Sequence, residues 1–259
     1  MADIALRKRK GRGAKRPGLE QARAPYVTRN IGPLPVLSLE GLELIEANAD
    51  RILQDTGMEF QDDPEILELF GAAGCDVRGT RVRFAPGFCR KTIQATTPPD
   101  YRQHARNAAN TVHVGGRSTV LCPSWGPPFV RDLDRGRRYA TYEDFVTLVK
   151  LHQTIPWLHH SGGVVCEPVD LPASTRHLDM LYAHFRWSDR PVMGAFIGAE
   201  RAGHAIDMAK IVFEMSDLAE QPVLYGVSNT NAPLVLDAKM SGALKTYARA
   251  GQPVAVTPW

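Results

Sequence analysis

The chain has 259 residues, 44% of them hydrophobic, enough to bury a sizeable core in one large α/β domain or two smaller ones. No stretch approaches eighteen consecutive apolar residues and the N-terminus lacks the apolar run of a secretory signal, so a membrane span is excluded and the cytoplasm is the expected location. The net charge of +3 hides an asymmetry: residues 1–16 carry seven Lys/Arg against Asp3 alone, a local +6, which leaves −3 on the remaining chain.

Such an arm can touch an acidic partner or simply solubilise a disordered tail, and nothing downstream interleaves aromatics with basic residues as a nucleic-acid surface would. Residues 17–35 read as an extended lead-in, which closes a first segment, 1–35. Ser38 is placed to cap a helix ending at Gly57, with Leu42, Ile45, Ala49, Ile52 and Leu53 on its inward face. Asp63-Pro64 opens a second helix with Ile66, Leu67 and Phe70 inward. A short strand at 80–84 and a helix at 86–96 follow. Residues 36–110 therefore read as a helical region rather than a sheet.

From residue 111 the rhythm changes. Residues 111–123 read as strands or a hairpin. Thr141 caps a helix with Phe145, Leu148 and Val149 on its apolar face, and 158–165 is strand-like. Ser174 is placed to cap the next helix, in which Leu178, Leu181, Tyr182 and Phe185 recur at helical spacing. Strands at 190–197 and 221–227, helices at 201–215 and 233–251, and a closing strand at 253–257 complete the alternation. Arg190-Pro191, Gln221-Pro222 and Gln252-Pro253 each set a proline just before a strand, where no interior ladder bond is lost. A β-α repeat of about 30 residues demands a parallel sheet with helices outside. Its even spacing suits a (β/α)8 barrel, here incomplete at about five strands over 111–259.

Four cysteines, Cys75, Cys89, Cys122 and Cys166, lie far apart and read as reduced, mostly buried thiols. No dinucleotide, P-loop, nucleophile-elbow or zinc-protease motif occurs. Gly162-Gly163 reads as a tight bend. His159 and His160 are neighbours on a strand and face opposite sides, so they cannot chelate one ion, and no metal site is expected. Functional groups of a barrel gather where strands end. Those ends supply Ser124 and Trp125, Glu167, then Ser228 and Asn229, with Tyr225 just before them. They include no acid–base dyad and no nucleophile with its base.

Four stretches resemble the trimethylamine methyltransferase superfamily. They are RKRKGRGAKR (7–16), ILQDTGMEFQDDPEILELFGAAGCDVRGTRVRFAP (52–86), FVRDLDRGRRYATYEDFVTLVKL (129–151) and LYGVSNTNAPLVLDAKMSGALKTYARAGQPVAVTPW (224–259). The resemblance implies a partial TIM-type barrel and transfer of a methyl group from a tertiary or quaternary amine to the corrinoid (cobalamin) of a cognate partner protein. The chain itself then binds no cofactor directly. Family members run to about twice this length, so the chain resembles their N-terminal half, and a homo-oligomer is expected of the full-length form. In trimethylamine-specific members the other half carries a pyrrolysine. In such chemistry Trp125, Tyr225 and Glu167 are candidates for holding a quaternary ammonium, and Ser124, Ser228 and Asn229 for a substrate carboxylate. Two other readings stay open: a half-barrel that dimerises through its sheet edge or only binds a partner, and a barrel hydrolase or lyase with Glu167 as general base.

Overall fold

A computed structural model describes residues 27–257, a mixed α/β chain in which seven helices accompany several small sheets. The basic arm, most of the lead-in, and Pro258 and Trp259 lie outside the described residues. No closed barrel forms among the described residues.

The short strand β1 (Val27–Thr28) precedes α1 (Leu39–Asp55), whose start is fixed by Ser38: its Oγ accepts the Gly41 N–H at 3.1 Å. β2 (Met58–Gln61) leads to α2 (Pro64–Ala72), with Asp63 as N-cap and Pro64 at the first helical position, where its missing N–H costs nothing. β3 (Asp76–Arg78) and β4 (Arg81–Arg83) form a hairpin before α3 (Phe88–Thr96). Residues 36–110 are thus not purely helical. The strands are only three or four residues long, too short for alternation to announce them.

Their sheet is completed from far away. β12 (Val235–Asp237) pairs in parallel with β2, giving the order β12-β2-β4-β3. The expected helix at 233–251 accordingly begins only at Ala238, capped by Asp237, whose carboxylate accepts the Lys239 and Met240 N–H groups. Phe60, Ile66, Val82, Phe84 and Leu236 form one buried cluster, with the Phe70 ring tilted against Phe60 and edge-on to Phe84. Of the expected inward face of α1 only Leu53 reaches this cluster. Leu42, Ile45 and Ile52 are about half exposed, because no described element lies over them.

Next come β5 (Asp100–Gln103), β6 (Val112–Gly115), β7 (Ser118–Thr119), and the hairpin of β8 (Phe129–Asp132) and β9 (Gly136–Tyr139). β6 pairs with β5 and β7 with β1, so the two strands at 111–123 do not form one hairpin together. In α4 (Tyr142–Thr154), Thr141 and Asp144 make a reciprocal capping box. α5 (Arg176–Trp187) starts after Thr175 rather than at Ser174, and Thr175 gives no side-chain cap.

β10 (Val192–Met193), β11 (Leu224–Asn229) and β13 (Val254–Thr257) form a parallel sheet in that order. Two further segments run beside it without a full ladder. Ser161 N donates to Pro191 O (2.9 Å) and Met193 N to Gly162 O (3.0 Å), while His159 N donates to Leu121 O (2.9 Å). α5, α6 (Ala199–Phe213) and α7 (Ala238–Arg249) cover one side, packing Leu181, Phe185, Ile206, Ala243 and Tyr247 on Val192 and Leu224. Tyr247 is fully buried and donates to Ala195 O at 2.6 Å. Glycine is required at 226 because a Cβ there would stand 2.6 Å from the Tyr247 ring.

An ionic junction ties the N-terminal sheet to this second layer. Lys245 of α7 donates to Asp63 (2.6 Å) and Glu65 (2.7 Å), and Ser241 also donates to Asp63. Burial opposes ionisation of Asp63, but these donors and the Ile66 N–H outweigh it and hold its carboxyl below the usual range. All four cysteines are free, yet only Cys166 is buried; Cys75 and Cys89 are half-buried and Cys122 meets solvent.

Candidate functional site

Alternation along β11 decides which side chains can meet a ligand. Leu224 packs under the helices, Gly226 lies against Tyr247, and Ser228 donates to Met240 O at 3.3 Å. These three occupy the helix side. Tyr225, Val227 and Asn229 take the opposite face. The strand runs to Asn229, two residues past its expected end, so Ser228 and Asn229 point apart. The structure keeps Tyr225 and Asn229 together and turns the buried Ser228 away from them. Asn229 Oδ1 accepts from the hydroxyl of Thr257 on the neighbouring strand.

Around Tyr225 stand residues that the strand ends did not nominate. The His160 ring meets the Tyr225 ring edge-on, centroids 6.4 Å apart. Tyr101 arrives from β5, placed by Gln103 two residues on. The Gln103 amide is buried and donates to Val192 O (2.9 Å) and Val223 O (3.3 Å) at the starts of two parallel strands. Cys122 completes the group. Burial pushes the Tyr101 hydroxyl up to about 12, with Tyr225 and Cys122 adding to it, and partial desolvation raises the Cys122 thiol although the residue as a whole is open to solvent. Tyr225 is raised in the same way, by burial and then by Cys122. All three stay protonated and neutral at physiological pH.

His160 is 3% exposed, and burial, then the nearby His184, hold it down to about 3. Its Nδ1 accepts the Gly162 N–H at 2.9 Å, while its buried Nε2 has no partner among the described residues. His184 is different. Its Nε2 lies 2.7 Å from Gly163 O and its Nδ1 2.6 Å from Ser161 Oγ, so Nε2–H donates to the carbonyl and Ser161 donates to Nδ1. This serine–histidine pair resembles an activated nucleophile, but both side chains are buried on the helix side, where the pair pins α5 to the 159–163 segment.

The remaining expected residues stand apart from Tyr225. Ser124 and Trp125 are exposed in the 122–128 loop, which is held to its neighbour by Gly126 N donating to Val164 O (2.7 Å). Glu167 forms an ion pair with Arg176 at 2.9 Å, at the start of α5. Its charge is already answered. The signal that finds His160 and Tyr101 is the same alternation, applied to 158–165 and to a strand, β5, that the sequence does not announce.

Chemically, this face is a neutral, aromatic-rich surface. Among the described residues no three His, Cys, Asp or Glu side chains gather as metal ligands, and no helix is long and apolar enough to cross a membrane. Cys166, like Cys122, is far from a thiolate: burial, then Asp144, pushes it up to about 12.

The sequence model of the Trimethylamine methyltransferase (MTTB) family matches residues 5–259. A glycine betaine methyltransferase of Desulfitobacterium hafniense (strain Y51) is 38% identical over 222 residues, 85% of this chain and 46% of that protein. A proline betaine:corrinoid methyltransferase of Eubacterium limosum is 25% identical over 242 residues, 89% of this chain and 48% of that protein. The chain spans about half the length of these curated relatives. Matched along nearly its whole length, the chain belongs to the trimethylamine methyltransferase family.

Proposed function

We propose that this chain is the N-terminal half of a methyltransferase that passes a methyl group from a tertiary or quaternary amine, of trimethylamine or betaine type, to a cognate corrinoid protein. The observation that carries this is the 38% identity to a glycine betaine methyltransferase across 85% of the chain. The site agrees with it in kind. Burial raises the Cys122 and Cys166 thiols, and the Ser161–His184 pair is buried on the helix side, which fits a methyl transfer whose nucleophile comes from outside the chain. The corrinoid of the docked partner protein supplies that nucleophile. The chain's own residues then bind and orient the amine.

In this reading the faces of Tyr225 and Tyr101 hold the ammonium, each contributing about 0.5–2 kcal/mol. Asn229 offers its amide at the strand end. Trp125 and Ser124, on their exposed loop, close over the amine when the partner docks. Glu167 sets that loop's neighbour through Arg176, and Ser228 acts through the packing of α7. The five segments at 121, 159–162, 191–193, 224–229 and 254–257, joined in sequence order, are staves of a (β/α)8 barrel whose remaining strands belong to the other half. The full-length form is a cytoplasmic homo-oligomer.

One assay tests this. The full-length protein, mixed with its reduced corrinoid partner and a panel of trimethylamine and betaines, should change the corrinoid absorbance with at least one amine. Tyr225→Leu should weaken that amine by roughly 2- to 30-fold, the loss of one cation–π contact. Silence across the panel overturns the reading. A second reading, a half-barrel that dimerises, draws on β13, which has a strand neighbour on one side only among the described residues and leaves Val256 63% exposed. Sedimentation of the 259-residue chain decides it: a discrete dimer supports this second reading, and monomer or aggregate rejects it.

A further inference from the structure

Gly162 N–H already uses Nδ1 of His160 as its acceptor, so that nitrogen carries the lone pair and the proton of the neutral ring sits on Nε2. Nε2–H is therefore a donor. It is buried, and no acceptor among the described residues reaches it. Buried donors are almost always paired, so one left open beside a candidate site points to an acceptor brought by a ligand. The ring meets Tyr225 edge-on and lies on the face that Tyr225 shares with Asn229.

A quaternary ammonium cannot serve as that acceptor, because its nitrogen has neither a proton nor a lone pair. A carboxylate can. We infer that His160 is a specificity-determining residue: its Nε2–H takes the carboxylate of a zwitterionic amine while the tyrosine faces take the cationic end. The inference rests on the methylated-amine reading above and narrows it to carboxylate-bearing amines. A neutral donor suits this role, since a fixed cation here would repel the ammonium a few ångströms away. The low proton affinity of the ring keeps it neutral across the physiological range.

The test has two parts, both on the intact protein. Long-range ¹H–¹⁵N spectra of ¹⁵N-histidine-labelled protein should show His160 as the Nε2–H tautomer, and glycine betaine should shift that proton downfield while choline leaves it in place. By calorimetry, His160→Phe should weaken glycine betaine roughly 10- to 100-fold, the scale of one hydrogen bond to a charged group. Choline should stay within about threefold on the same scale. His160→Gln, which keeps an N–H near the Nε2 position, should restore most of the betaine affinity. An Nδ1–H tautomer, a betaine-insensitive Nε2–H, or equal weakening of both ligands by His160→Phe overturns the role of His160 and leaves the methylated-amine reading standing. Failure of the wild-type protein to bind glycine betaine overturns the role of His160, and only silence of the corrinoid assay across the whole amine panel overturns the methylated-amine reading as well.

Discussion

Replacing Gln252 by Leu should be among the most damaging single changes in the chain. The side chain is 3% exposed, and its amide makes four hydrogen bonds. Oε1 accepts the Val223 N–H (2.8 Å) and the Leu224 N–H (3.0 Å), and Nε2 donates to Leu218 O (2.9 Å) and Ala250 O (3.0 Å). It thus ties the entry of β11 to the entry of β13 and to the loop after α6. Leucine fills nearly the same volume, so little cavity forms, and the loss is one of hydrogen bonds. At about 1 kcal/mol each, with two N–H groups left buried and open, the cost comes to about 4 kcal/mol. For a chain of this size that lowers the midpoint of thermal unfolding by roughly 8–16 °C. Gln252→Glu keeps the acceptor but sets a second oxygen against two carbonyls, and should cost as much. Thermal and urea unfolding followed by circular dichroism read both variants. A loss below about 1 kcal/mol for Gln252→Leu, with unchanged urea dependence, would refute the reasoning.

Gly226→Ala should destabilise by about 1–3 kcal/mol through overpacking, because its Cβ would stand 2.6 Å from Tyr247 Cδ2. Combined with Tyr247→Leu the cost should be less than the sum of the two singles, and simple additivity in urea unfolding would reject the contact. Acid should weaken the fold through the two buried histidines. His160 and His184 stand near 3 and 4 when folded, mainly because of burial, against 6.5 when free. The unfolded chain therefore takes up their protons first. Stability is full above pH 6.5 and is lost as pH falls toward about 4, by about 1.4 kcal/mol per pH unit for each ring. Urea midpoints measured from pH 7 to 4.5 should show this slope, and His184→Gln should roughly halve it; a flat profile contradicts the burial argument.

Elements with strong local signals were legible in the residues. Thr141 announced α4 as its cap, Asp63-Pro64 announced α2, and each proline-led apolar run became a strand of the parallel sheet. Elements that depend on distant partners were not. Val235–Asp237 carries helix-compatible residues and becomes a strand only because β2 waits beside it. The stripe on α1 is amphipathic in sequence, but periodicity does not say what covers it. Candidate site residues divided the same way. Strand alternation puts Tyr225 and Asn229 on one face, whereas the placement of Ser228 turns on two residues of strand length. The sequence rules out His159 and His160 as a shared metal pair and says no more of His160, because the open Nε2 follows from one backbone contact, with Gly162, that no spacing rule contains.

The parallel pairing of β12 with β2 has a consequence for the birth of the protein. Strand β2 emerges from the ribosome at residue 58, but its neighbour is not made until residue 235. At ordinary synthesis rates of about 5–20 residues per second, the gap is roughly 10–35 s. Throughout that interval one edge of the first sheet is open, and Asp63 has no Lys245 to neutralise it. The arrival of β12 and α7, adjacent in sequence, closes both vacancies together.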